Sequence, residues 1–236
     1  MNNLIIEKEA LEFRKKFAMD IDSIVEYRWL LDRIGIITIF KPLKEDFAGM
    51  AFKYGESSLF MMINSNHSKG KQHFTICHEL YHLMIQENFT FMKCYTEIFD
   101  RKKDKVEYQA DLFASHLLIP TDGLLERIPK EELKKDEISI KTIVEAEQYF
   151  QCSRTALLFR LSELSLISEV TRQKFLKGII NSAKDFGFPE DLYIANKENL
   201  FIGKDYQLGL EELYENEKIS QALYLEMKHD IGEDLY

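Results

Sequence analysis

Apolar residues fall at helical spacing over residues 4–18, where Leu4, Ala10, Leu11, Phe13, Phe17 and Ala18 make one loose face. A second helix carrying Ile24, Val25, Trp29 and Leu30 is predicted behind a cap at Asp20 or Asp22, and Gly35 ends it. The period then changes. Ile36-Ile37-Thr38-Ile39-Phe40 is a β-branched run that reads as a strand. Two further strands are predicted at Gly49–Tyr54 and Ser58–Asn64, joined as a hairpin across Gly55-Glu56. Residues 72–87 return to helical spacing. After a less regular stretch from Phe89 to Asp104, a helix is predicted from about Lys105 to Leu118. Val106, Ala110, Phe113, Ala114 and Leu117 mark its inner face, and Pro120 closes it.

The charged run 129–137 reads as a solvated connector or a short exposed helix. Helices are predicted over 139–150 and 153–164, around a tight turn at Gln151-Cys152 with Ser153 as N-cap. Residues 170–236 are helical at both ends and irregular around Phe186–Pro189 and Asn196–Gly203. This order of helices and strands indicates an α+β fold.

Composition narrows the class. With 45% hydrophobic and 30% charged residues, and only 10 Gly and 4 Pro, the chain is that of a helix-rich globular protein with short connections. A formal net charge of −9 argues against a general nucleic-acid binder and would suit a basic protein partner. Cys77, Cys94 and Cys152 form no disulfide framework or zinc knuckle. The first residues lack the basic-then-apolar order of a secretory signal. The longest strongly apolar stretch, Ile34 to Phe40, is too short to cross a membrane. These features point to the cytoplasm, with no membrane partner.

The chemistry concentrates in His78-Glu79-Leu80-Tyr81-His82. On a helix, positions i and i+4 share a face, so both imidazoles can meet one metal ion. Glu79 can then reach a water on that metal without being a ligand, which is the H-E-x-x-H arrangement of zinc hydrolases. Such a match arises by chance roughly 0.02 times in a chain of this composition. A mononuclear site usually needs a third protein ligand, and Glu107 is the best candidate, on a firmly helical segment. Asp111, one turn later, would accept the second ring N–H of a ligating histidine. Glu79 is the candidate general base. Tyr81, Tyr95, Tyr108 and His116 are candidate donors to the transition state, and the spacing does not choose among them. Cys77 reads as a small buried hydrophobe, while His73 reads as structural and His67 as a loop residue. The bland alternatives are two surface histidines and a pair of helix-surface acids beside Arg101, Lys102, Lys103 and Lys105.

HFTICHELYHLMI followed by EYQADLFASHLLIP resembles the paired signature of the ImmA/IrrE family of metallo-endopeptidases. The matching positions are Phe74, Thr75, Glu107, Ala110, Asp111, Phe113, Ala114, Leu117, Leu118 and Pro120. The segment Ala146…Phe150-Gln151-Cys152-Ser153-Arg154 to Leu164 resembles the family's helix-turn-helix-like part. The likeness covers residues 4–168 well, and 170–236 only loosely through Glu217-Lys218-Ile219-Ser220.

It implies a zincin-like, helix-rich protease core with a small three-stranded sheet over residues 1–128. A helix-turn-helix-like segment over 138–168 and a helical C-terminal region over 169–236 would follow. It also implies a zinc-type endopeptidase, with manganese as the alternative ion, that cuts a helix-turn-helix repressor and so releases genes. His78, His82 and Glu107 take the ligand positions and Glu79 that of the base. A DNA-reading module should present basic residues on its second helix. Here Arg154 and Arg160 are offset by Glu163, so direct DNA binding is not expected. Ser58–Asn64 is a candidate for aligning substrate by β-addition. The competing class is a non-catalytic regulator that binds DNA or a repressor and keeps the metal only for its fold.

Overall fold

In the computed structural model, residues 3–20, 22–55, 58–94, 97, 104–195, 197 and 200–230 are described. The chain begins with α1 (Asn3–Lys16) and α2 (Tyr27–Ile34), then β1 (Ile36–Lys41), β2 (Gly49–Tyr54) and β3 (Ser58–Asn64). α3 (Lys69–Met84), β4 (Phe91–Cys94), α4 (Lys105–Leu118) and α5 (Thr121–Arg127) follow. Next come α6 (Ile140–Phe150), α7 (Arg154–Glu163), α8 (Glu169–Phe175) and α9 (Ile179–Asp185). β5 (Leu200–Ile202), α10 (Lys204–Glu215) and α11 (Gln221–Asp230) complete the order. The fold is mixed α+β, and among the described residues no helix is long and apolar enough to cross a membrane.

α2 starts at Tyr27, later than predicted, and Glu26 rather than an aspartate occupies its cap position. The Arg14 guanidinium is the reason. It is buried, donates from Nε to the Asp20 carbonyl at 3.1 Å, and also reaches Ser23, so both residues are held outside the helix. A tertiary contact has overridden a capping preference. Gly35 ends α2 in the left-handed region at φ 79°, where glycine carries no Cβ penalty.

Among the described residues the sheet has five strands in the order β4-β2-β3-β1-β5, not three. β2 and β3 form the expected antiparallel pair, while β1 runs parallel to β3. The added strands are short. β4 lies in the stretch that lacks periodicity, and Leu200-Phe201-Ile202 reaches β1 from far along the chain. This order also corrects the proposed role of Ser58–Asn64. β3 is flanked on both sides, so its backbone donors and acceptors already serve β2 and β1, and an incoming peptide cannot pair with it.

One sheet face is buried. Ile36, Thr38 and Phe40, Ala51, and Leu59, Met61 and Ile63 point inward, and α3 lies across β2 and β3. The other face carries two rows set by the strand registers. Phe91, Phe52, Phe60 and Ile37 form one, and Met50, Met62, Ile39 and Phe201 the other, with Lys93 at its β4 position.

α3 is surrounded by sheet and helices, with nearly every residue from Gly70 to Leu83 buried. At its start, a Cβ on Gly70 would come within 2.8 Å of the Cys152 backbone, so only glycine permits this approach of α3 to the α6–α7 turn. That turn uses Gln151 at φ 52°, and Ser153 caps α7 by accepting from the Ala156 N–H. The charged connector forms a 3₁₀ turn at Lys130–Glu132 with no buried residue.

Candidate metal centre

α3 and α4 pack side by side and bring three donor groups to one point. His78 and His82 present their Nε2 atoms 3.1 Å apart. Glu107 approaches with Oε2 at 3.5 Å from His78 Nε2 and Oε1 at 3.2 Å from His82 Nε2. Donors at about 2.0–2.1 Å on a tetrahedral ion are separated by about 3.3 Å, so this triangle fits one face of such a site. His78, His82 and Glu107 can therefore hold one divalent metal ion.

The proton inventory supports that fit. His78 Nδ1 donates to Asp111 Oδ1 at 2.9 Å, and His82 Nδ1 donates to Gln86 Oε1 at 2.6 Å. Both acceptors are oxygens without a proton to offer, so each neutral ring keeps its proton on Nδ1 and turns its Nε2 lone pair toward the other. Two buried lone pairs and a carboxylate facing one another repel unless a cation sits among them.

Local sequence explains the placement. Asp104 caps α4 by accepting from the Val106 and Glu107 N–H groups at 2.8 and 3.2 Å. Glu107 is thus fixed in the first turn, where the helix dipole favours a negative charge. Glu79 is fully buried beside the start of β2. A Cβ on Gly49 would lie 3.0 Å from Glu79 Oε1 and 2.6 Å from Thr75 Cγ2, so glycine there makes room for the Glu79 side chain.

Tyr81 is buried and its hydroxyl donates to Gln109 Oε1 at 3.2 Å. Tyr108 is half-buried and packs against the hydrophobic core. Tyr95 lies outside the described residues. His116 stands nine residues after Glu107, half a helical turn round α4. It meets a different group: Glu7 Oε1 at 3.5 Å, Arg160 Nη1 at 3.5 Å and Glu163 Oε2 at 3.7 Å.

Three contributors carry weaker sequence signals. Gln86 repeats the i, i+4 spacing after His82 and was readable on that basis. Phe89 stacks on the His82 ring at 5.5 Å, and the Glu97 N–H donates to Asp111 Oδ1 at 3.2 Å. The Glu97 carboxyl, raised to about 7 by burial, accepts from the Ser153 hydroxyl, so one residue touches both the Asp111 support and the α7 cap. Both lie in the stretch without periodicity, where nothing in the sequence marks them.

The helix-turn-helix-like pair is differently built. Arg154 is buried and donates to both oxygens of the buried Glu147, to the Phe175 carbonyl at 3.0 Å and to Ser182 Oγ at 2.9 Å. Arg160 is buried too, and donates to the Ile119 carbonyl at 3.1 Å, Thr121 Oγ1 and Glu163. Neither arginine can reach a phosphate without unpacking these bonds.

Among proteins of known sequence, "Uncharacterized immunity region protein 2" of Bacillus phage phi105 is 34% identical over 98 residues, 41% of this chain. The chain spans about 60% of the length of that relative. Residues 31–162, more than half of the chain and including α3, α4 and the α6–α7 pair, match the family model Peptidase_M78, the IrrE N-terminal-like domain. The chain belongs to this peptidase family.

Proposed function

We propose that this protein is a cytoplasmic, zinc-type metallo-endopeptidase with a zincin-like core, cutting a helix-turn-helix transcriptional repressor at a specific bond to derepress genes. The observation that carries the reading is the triangle of His78, His82 and Glu107, with both histidine Nδ1 atoms already engaged. An immunity-region protein of a phage among the relatives supports a repressor as substrate. The donor set of two imidazoles and one carboxylate suits zinc, with manganese as the alternative.

When bound, the ion supplies Lewis acidity, lowering the pKa of a water and polarising a peptide carbonyl. Glu79 takes the proton of the attacking water and passes it to the leaving amine. Asp111 and Gln86 hold the two rings in the tautomer that turns the Nε2 lone pairs to the ion. The closed polar network of Arg154 and Arg160 supports a packing or partner-docking role for residues 138–168, not DNA reading.

The test is Glu79→Gln. It is expected to keep one equivalent of metal and to lower cleavage of the repressor encoded beside the gene about a thousandfold, read by fragment mass. A variant that still relieves repression fully would mean the protein acts by binding, with its metal serving only the fold.

A further inference from the structure

The outer face of the sheet is unusual for a solvated surface. An antiparallel sheet with one free face normally alternates apolar-in and polar-out. Here, apart from the Lys93 position at one end, the two outer rows are made of aromatic, aliphatic and methionine residues. Tyr54 is 73% exposed, Phe91 48% and Phe52 37%. Phe52 contacts Tyr54, Phe60 and Phe91 with ring centroids 6.1–6.5 Å apart, so the aromatics form one continuous patch. Contiguous apolar surface of this kind marks an interaction site.

The patch continues into the C-terminal hairpin. Phe201 contacts Tyr206 at 5.5 Å, and Tyr206 opens a groove of about 520 Å³ between α10 and α11, lined by Leu210, Leu213 and Met227. Tyr214 stacks on Tyr224 at 4.3 Å and holds the two helices together. Around the groove the surface is acidic. Residues 204–230 carry seven acidic and three basic side chains, nearly half of the chain's net −9. Glu211, Glu212, Glu215, Glu217 and Glu226 are all exposed.

We propose that the outer sheet face and the α10–α11 groove form one docking surface for a basic, amphipathic helix of a protein partner. Apolar side chains of that helix would fill the patch, and its lysines and arginines would meet the glutamate rim. A second copy of this chain fits poorly, because it would set one acidic hairpin against another. A DNA-binding protein carries such basic helices, since they neutralise phosphates. The identification of the partner as the repressor rests on the function proposed above, whereas the surface itself does not.

The probe is a synthetic helix of leucine and lysine at amphipathic spacing, compared with one in which glutamate replaces lysine. The lysine peptide is expected to bind and the glutamate peptide not. Phe52→Asp, or Tyr54→Asp where the first perturbs folding, should weaken binding about tenfold or more, with metal content and melting unchanged. Reversing Glu211, Glu212 and Glu215 to lysine should weaken it similarly and flatten its salt dependence. Equal binding of both peptides, or indifference to the aspartate variants, would overturn the proposal. So would a wild-type dimer that Phe52→Asp separates. With the repressor itself, Phe52→Asp should raise KM and leave kcat intact. Cleavage at unchanged KM would overturn docking and leave the protease reading standing; tight binding without cleavage by the wild type would do the reverse.

Discussion

Two buried polar clusters, one between α3 and α4 and one between α6 and α7, differ in their wiring. Between α6 and α7, Arg154 donates to both oxygens of Glu147, and two further arginine protons go to a carbonyl and a hydroxyl. Tyr193 adds a hydrogen bond to Glu147 Oε2 at 2.8 Å. That cluster is closed. Between α3 and α4, every outward hydrogen-bonding position of the histidines is used, while the inward atoms are three acceptors with no proton among them. That cluster is open toward a cation. Burial and charge alone do not separate the two; the count of donors against acceptors does.

Opposite signatures should follow when each is broken. Glu107→Ala is expected to remove metal binding and cleavage while leaving the metal-free protein folded, because it deletes a repelling carboxylate. Metal analysis and melting check this, and unchanged metal content would erase the distinction. Arg154→Met should instead leave metal stoichiometry intact and destabilise the fold by about 3–5 kcal/mol in urea titration, since it strands the Glu147 carboxylate in the interior. A smaller effect sharpens the open side. Asp111→Asn keeps the shape but weakens the hold on the His78 tautomer, and metal affinity should fall about 10–100-fold by competition with a chelator.

A third effect comes from histidines outside the metal centre. His73 donates to the Gln151 carbonyl at 2.8 Å, and burial lowers its pKa to about 4. Burial and the Arg160 charge lower His116 to about 3. In the unfolded chain both rings take up protons near pH 6.5, while the folded rings resist until pH 4 or 3. Stability is therefore full above pH 6.5 and falls as the pH drops toward 4, by up to about 1.4 kcal/mol per pH unit for each ring. Urea midpoints of metal-free protein at pH 7 and pH 5 should differ in that direction.

The sequence displayed the residues of the open cluster far better than its surroundings. His78, His82, Glu107 and Asp111 sit on long helices whose period pairs His78 with His82 and Glu107 with Asp111, and the family resemblance joined the two pairs. Helix α4 and strands β2 and β3 were legible to the residue for the same reason. β4 and β5 were not, because four and three residues are too few to display alternation, and both exist through partners distant in sequence. The late start of α2 was hidden because Arg14, seen as part of an amphipathic helix, spends its guanidinium on the Asp20 loop. The α6–α7 turn was readable from Ser153, yet the inward direction of Arg154 and Arg160 was not: a basic residue on a helix does not announce which side is buried.

The pairing of β5 with β1 has a consequence for biogenesis. β1 emerges from the ribosome early, but Leu200-Phe201-Ile202, which covers its free edge, emerges more than 150 residues later. At translation speeds of roughly 5–20 residues per second, that edge stays bare for about ten to thirty seconds. A bare edge is a template for pairing with another nascent chain. Chains shortened to end near residue 168 would make that interval permanent, and are expected to precipitate even though every residue of the metal triangle is present.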